Sequence, residues 1–144
     1  MEDSKILRVW KHVVKKGDRD YDRLREFCHL SKNLYNHANY LVRQEFLRTG
    51  NRIRYEELDK ILKADREYPD YAAMPTAQCA QQTLRMLSDN WKSFMNSRSD
   101  YRKHPEKYKG RPKMPGYLKK DGCYELILTN QNCRLKGDVL HFPT

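Results

Sequence analysis

Two long runs of apolar residues at helical spacing, separated by two chain-breaking motifs, constrain this chain more than any other feature. From about Tyr21 to Arg48 the positions are Leu24, Phe27/Cys28, Ser31, Leu34/Tyr35, Ala38, Leu41/Val42 and Phe46. They lie on one face of an amphipathic helix that must end before Gly50. After Tyr68-Pro69-Asp70 breaks the chain and Pro75-Thr76 opens a new helix, the stripe Ala77, Ala80, Leu84, Leu87, Trp91, Phe94/Met95 continues to about Asp100. A shorter helix near Glu56–Ala64 presents Leu58, Ile61 and Leu62 on one face. Three such helices bury their stripes most economically in an antiparallel bundle.

Outside the bundle the period changes to two. Residues 5–14, with Ile6, Val9 and Val13 among Lys5, Arg8 and Lys11, read as a first strand. Lys16-Gly17-Asp18 then turns the chain, with Asp18 or Asp20 as helix cap. Tyr124–Leu128, Cys133–Lys136 and Val139–Phe142 read as strands, separated by turns at Thr129–Asn132 and Gly137-Asp138. A lone N-terminal strand has only the C-terminal strands to pair with. The expected fold class is therefore α+β, a bundle of about three helices inserted into a partial antiparallel β-barrel. Its divisions are a first strand over 1–17, the bundle over 18–101, a basic linker over 102–121 and barrel strands over 122–144. The open edges of so few strands suggest the front part of something longer.

The linker is where the charge sits. Arg102–Lys120, RKHPEKYKGRPKMPGYLKK, holds eight Lys and Arg against the single acid Glu106, +7 of the chain's net +10. Cations concentrated this way are the footprint of a polyanion contact, with Lys109, Arg111, Lys113, Lys119 and Lys120 as candidate phosphate ligands. Pro105, Pro112 and Pro115 stiffen the segment, which limits the entropy lost on docking. Tyr108 and Tyr117 add a stacking option. The alternative is a solvated basic spacer. Ten tyrosines and two tryptophans argue against disorder. No apolar run reaches the length of a spanning helix, and the acidic start MEDSKILRVW lacks the apolar core of a signal peptide.

No self-contained active site emerges. The acids Glu56, Glu57, Asp59, Asp65, Glu67 and Asp70 lie among Arg52, Arg54, Lys60, Lys63 and Arg66, a mixture typical of surface ion pairs. His29 and His37 are two helical turns apart, too far for a zinc-binding helix pair. Cys28, Cys79, Cys123 and Cys133 lack C-x-x-C spacing and read as free thiols. Two polar clusters stand out. Asn33, Asn36 and Asn39 are poor helix formers within a helix, either bonding neighbouring loops or serving a site. Gln78, Gln81 and Gln82 either lie on the surface or face a major groove, where amides read adenine edges.

The succession KNLYNHANYLVRQEF, MPTAQCAQQTLRMLSDNWKSF, PEKYKGRPKMPGYLKK and LTNQNCRL resembles the N-terminal region of the TnpB proteins, the OrfB-type transposases related to type V CRISPR effectors. The resemblance spans essentially the whole chain in order. It implies an RNA-guided DNA endonuclease whose front part is a wedge β-barrel with a recognition bundle inserted after its first strand. The implied partners are a guide RNA and target DNA, in a prokaryotic, cytoplasmic and nucleoid-associated setting. By alignment, contacts to a target-flanking motif fall near Tyr55, Gln78, Gln81, Thr129 and Asn130. The family's nuclease half, with its divalent metal and structural zinc, has no counterpart here, so this chain alone is expected to be no enzyme and to carry no cofactor. A stand-alone truncated regulator of DNA or RNA, or a plain helical interaction module, are the alternatives.

Overall fold

The computed structural model describes residues 6–143, and Lys5, the first position of the expected N-terminal strand, lies outside that range. Three α-helices dominate: α1 (Tyr21–Thr49), α2 (Tyr55–Ala64) and α3 (Ala77–Lys103). A short 3-10 turn follows at Pro105–Lys107, and the chain ends in a small antiparallel hairpin, β1 (Arg134–Lys136) with β2 (Val139–His141). Arg134 faces His141, and Lys136 faces Val139.

The helix ends follow local chemistry. Gly50 takes the left-handed conformation (φ 78°) that stops α1, and its N–H donates to the Phe46 carbonyl at 2.7 Å. Thr76 caps α3, its hydroxyl oxygen accepting from the Cys79 N–H at 3.1 Å. Asp20 stands at the N-cap of α1 without a side-chain bond, because Asp18 instead turns back to accept from the Lys15 N–H at 2.7 Å. α3 runs to Lys103, so the first two cations of the basic segment belong to a helix rather than to a linker.

The core joins Leu34, Ala38 and Val42 of α1, Leu58 and Leu62 of α2, and Ala80, Leu84, Leu87 and Trp91 of α3, all buried. The helices run up-down-up, as in an antiparallel three-helix bundle. α2 runs against α3, with Tyr55 beside Arg85 and Asp59 level with Gln81 at Tyr71, and the two long helices share a direction. Ser31 meets Thr83, Tyr35 meets Asn90, Asn39 meets Trp91 and Phe46 meets Phe94, so the pairing numbers rise together and α1 and α3 run parallel. The return leg is α2 plus the loop after it. Ten residues of α2 span only about 15 Å, and the loop continues back along α1, where Asp65 and Asp70 bracket His37 at 3.4 and 3.0 Å.

The β-structure is smaller than expected. The two strands close no barrel. Residues 6–15 form no strand, and Leu7, Val9 and Trp10 are 95%, 97% and 87% exposed. No strand lies beside them to satisfy their backbone, so an alternating pattern alone cannot make one. Tyr124–Leu128 is likewise no strand, but it keeps its period of two. Tyr124, Leu126 and Leu128 pack on the core while Glu125 and Ile127 face outward. Among the described residues no helix is long and apolar enough to cross a membrane.

Candidate nucleic-acid interface

The basic segment is built into the molecule by one polar stripe of α1. Arg43, Asn39, Asn36, Lys32 and His29 recur at alternating steps of four and three, which keeps them on a single helix face. Each bonds the backbone of the segment. Arg43 Nη1 and Asn39 Nδ2 donate to the Pro115 carbonyl at 2.8 and 3.0 Å, and Asn39 also reaches Gly116 O at 3.2 Å. Asn36 pairs with Leu118 twice, donating to its carbonyl (3.0 Å) and accepting from its N–H (2.8 Å), as a neighbouring strand would. Buried Lys32 donates to the Lys120 carbonyl. His29 Nδ1 lies 3.1 Å from the Gly122 carbonyl, and since a carbonyl only accepts, Nδ1 carries the proton.

The spacing works because the two rises nearly match. A step of three and a half helical residues rises about 5.3 Å, and two residues of extended chain rise about 6.6 Å. The register therefore holds from Pro115 to Lys120, antiparallel to α1, and a turn closed by the Gly122 N–H on the Lys119 carbonyl at 2.9 Å brings Gly122 to His29. Two more bonds finish it: the Tyr124 N–H donates to Cys28 O at 3.0 Å, and Ser31 donates to Glu125 O at 2.7 Å. Ser31 has one proton, so Thr83 must donate the buried 2.8 Å bond between the two hydroxyls. Asn39 ties the stripe to the core, since its Oδ1 accepts the Trp91 indole N–H at 2.9 Å. Asn36 and Asn39 thus anchor the segment, the loop-bonding option of the two that the sequence left open, while Asn33 makes no such bond among the described residues.

With its backbone held against α1, the segment exposes its charges. Lys109, Arg111, Lys113, Lys119 and Lys120 are all solvent-exposed. Among the described residues none has an acidic partner within ion-pair distance. Tyr117 is exposed with the Arg43 guanidinium 5.0 Å from its ring centre. Tyr108 is drawn inward, its hydroxyl donating to Asp100 at 2.7 Å. That bond holds the Asp100 carboxyl below its ordinary range and raises the Tyr108 phenol.

The five flanking-motif positions fall into two linked groups. Thr129 and Asn130 belong to the turn closed by the Asn132 and Cys133 N–H groups on Thr129 O. This turn lies against the start of α3. Gln78 Oε1 accepts from Asn132 Nδ2 at 3.3 Å, Gln78 Nε2 donates to Gln131 Oε1 at 3.4 Å, and the Thr76 hydroxyl donates to Asn132 Oδ1 at 3.1 Å. Asn130 is exposed at its tip. One turn along α3, Gln81 lies beside the Tyr71 hydroxyl, which also faces Asp59. Burial first, then Asp59, pushes the Tyr71 phenol up to about 12. Tyr55 completes this second group under Arg85, whose guanidinium carbon is 4.4 Å from the ring centre. Burial, then Asp59, raises the Tyr55 phenol.

Sequence reasoning missed Arg85, Asn132 and Tyr71. Arg85 stands four residues beyond Gln81 on the same helix face, a spacing that could have identified it. The positions of Tyr71 and Asn132 depend on tertiary docking, and no local pattern marks them.

The residues present do not fit a metal. Among the described residues no group of three or more His, Cys, Asp or Glu side chains could hold an ion. The cysteines come together only in twos, Cys28 with Cys123 and Cys79 with Cys133. Burial, then the neighbouring thiol, raises Cys28 and Cys133. Comparison with protein-family models, with curated proteins and with solved structures finds no match to this chain.

Proposed function

We propose that this chain is a nucleic-acid-binding module, the non-catalytic front part of an RNA-guided DNA endonuclease of the TnpB type. In this reading it holds guide RNA and its DNA hybrid on the basic segment and reads a target-flanking motif with Tyr55, Gln78, Gln81, Thr129 and Asn130. One observation carries it: among the described residues the cations of 109–120 are exposed and without acidic partners, and the stretch from Pro115 to Gly122 that bears Lys119 and Lys120 is fixed to α1 by the side chains of Arg43, Asn39, Asn36, Lys32 and His29. A solubilising spacer needs charge but no anchoring. A prepositioned row of cations neutralises phosphates with little ordering cost. The contact between Gln78 and the Thr129–Asn132 turn supports the second half, since it puts amide groups from distant parts of the chain on one surface.

The nuclease half would then be a partner region, and the missing barrel strands would cover the hairpin, where Leu135, Val139 and Leu140 stand exposed. That exposure also favours a second reading as an interaction module.

Salt titration of binding to duplex DNA and structured RNA tests the proposal. Affinity should fall steeply with salt. Lys109→Ala with Lys119→Ala and Lys120→Ala should weaken all sequences in about equal proportion, flattening the slope by about one per lost phosphate contact. Gln81→Ala, assayed in a complex with guide RNA and the nuclease region, should erode motif preference and spare nonspecific affinity. A parent protein that binds no nucleic acid at low salt would leave the interaction-module reading standing.

A further inference from the structure

At the far end of the basic segment, where α3 leaves the bundle, lies a cleft of about 790 Å³ that none of the five flanking-motif residues borders. Its lining combines the Phe46, Phe94 and Tyr101 rings with cations from three separate parts of the chain, and includes no acid. Arg43 comes from α1, Arg98 and Arg102 from α3, and Arg111 and Lys113 from the basic segment. The aromatic part is ordered: Phe46 and Phe94 meet edge to face with ring centres 5.6 Å apart, and the Arg98 guanidinium carbon lies 5.2 Å from the Phe46 ring centre. Arg102, Arg111 and Lys113 are solvent-exposed, and among the described residues no carboxylate pairs with them or with Arg98.

The two halves of the lining ask for different things. Phosphate alone would use the cations and leave the rings idle. An apolar molecule would use the rings and bury cations without compensation. A peptide of Asp and Glu meets the charge but offers no aromatic face for stacking. A nucleotide supplies a π-face and an anion joined by a sugar, and the volume lies within the range of sites for molecules of that size, about 300–1,000 Å³. In a duplex both faces of each base are already stacked, so only an unpaired nucleotide can enter.

We propose that this cleft holds an unpaired nucleotide of a bound strand, its base against the Phe46, Arg98 and Tyr101 group and its phosphate between Arg102 and Arg111. The proposal rests on the nucleic-acid reading above and adds a site that discriminates single strands from duplexes.

The test compares the parent with the double variant Arg98→Ala and Arg102→Ala on three probes: a short oligoadenylate, its deoxy counterpart, and a duplex of mixed sequence. The expected result is a loss of about tenfold on at least one single strand, with the duplex changed by less than about twofold. Which single strand suffers the loss tells whether RNA or DNA is the source. Equal loss on single strands and duplex would overturn the cleft while leaving general nucleic-acid binding intact. A parent that binds none of the probes would overturn both. A second measurement needs no variant: a thiouracil-containing strand, photo-crosslinked to the parent, should mark peptides containing Phe94 to Arg102 or Arg111 to Met114. A crosslink to the peptide containing Arg43 and Phe46 supports the proposal equally, and crosslinks confined to peptides outside these three stretches would overturn it.

Discussion

Residues 6–15 and 112–128 both lack helix and strand, and both alternate apolar with polar side chains in part of their length. Their fates differ completely. In 112–128, Met114, Leu118, Tyr124, Leu126 and Leu128 pack on the core, and the backbone is bonded from Pro115 to Glu125. In 6–14, no hydrogen bond ties the backbone to the bundle among the described residues, and the aromatic contact of Trp10 is a local one with His12. The difference lies in what each segment faces. The C-terminal segment meets a helix face carrying amides, a guanidinium and an ammonium at the spacing of its own carbonyls. The N-terminal segment meets no such face. An extended chain is fixed by the donors its neighbour presents more than by its own pattern.

The sharpest way to break this contrast is through the side chain beneath the anchors. Trp91→Ala removes a buried ring that packs on Phe46 and Phe94 and strands the Asn39 oxygen. It should cost about 3–5 kcal/mol, read by chemical denaturation, and should bring the C-terminal segment's amide exchange toward that of residues 6–14. Asn39→Ala should cost about 2–3 kcal/mol, because it leaves the Trp91 N–H buried without an acceptor and removes the donor to the Gly116 carbonyl, Pro115 keeping Arg43. Asn36→Ala should cost about 1–2 kcal/mol, with faster exchange at the Leu118 amide as its local signature. At the small end, Trp10→Ser should change stability by no more than about 0.5 kcal/mol. A Trp10→Ser effect as large as that of Asn36→Ala would erase the distinction between the two segments.

The helices were legible in the sequence because their stripes are periodic over many turns. Tyr21, Gly50 and Thr76 mark helix ends for reasons that a few neighbouring residues settle. That α1 packs chiefly on α3 rather than on α2 was not legible, since nothing in the stripe of Leu84, Leu87 and Trp91 names the helix it meets. The strand readings failed at 6–14 and at Tyr124–Leu128 for one reason: alternation specifies a buried face, whereas a strand also needs a neighbouring backbone. At Tyr124–Leu128 the buried face was right and the neighbour was a helix. The candidate site was partly legible. The cations announced themselves by number, and the asparagines of α1 by their poor fit to a helix interior. Their register against Pro115, Leu118 and Gly122 is a long-range fact that no window of sequence contains.

The parallel course of α1 and α3 has a consequence for how the chain acquires its structure. In a bundle whose three helices are of equal length each can dock on the one just made, so contacts form early and locally, whereas the ten-residue α2 leaves α1 to pack chiefly on α3. Here the partner of Ser31 is Thr83 and the partner of Asn39 is Trp91, each 52 positions away. The core cannot close until both intervening breaks and α2 have been traversed. The loop-closure entropy of that detour precedes any reward from packing. On a ribosome, α1 would emerge with its apolar face uncovered until most of α3 has followed, and the cationic segment would be the last rod laid down. Refolding should accordingly be slower than for a three-helix hairpin bundle of similar stability, with the protection of the Leu118 amide appearing in the final phase.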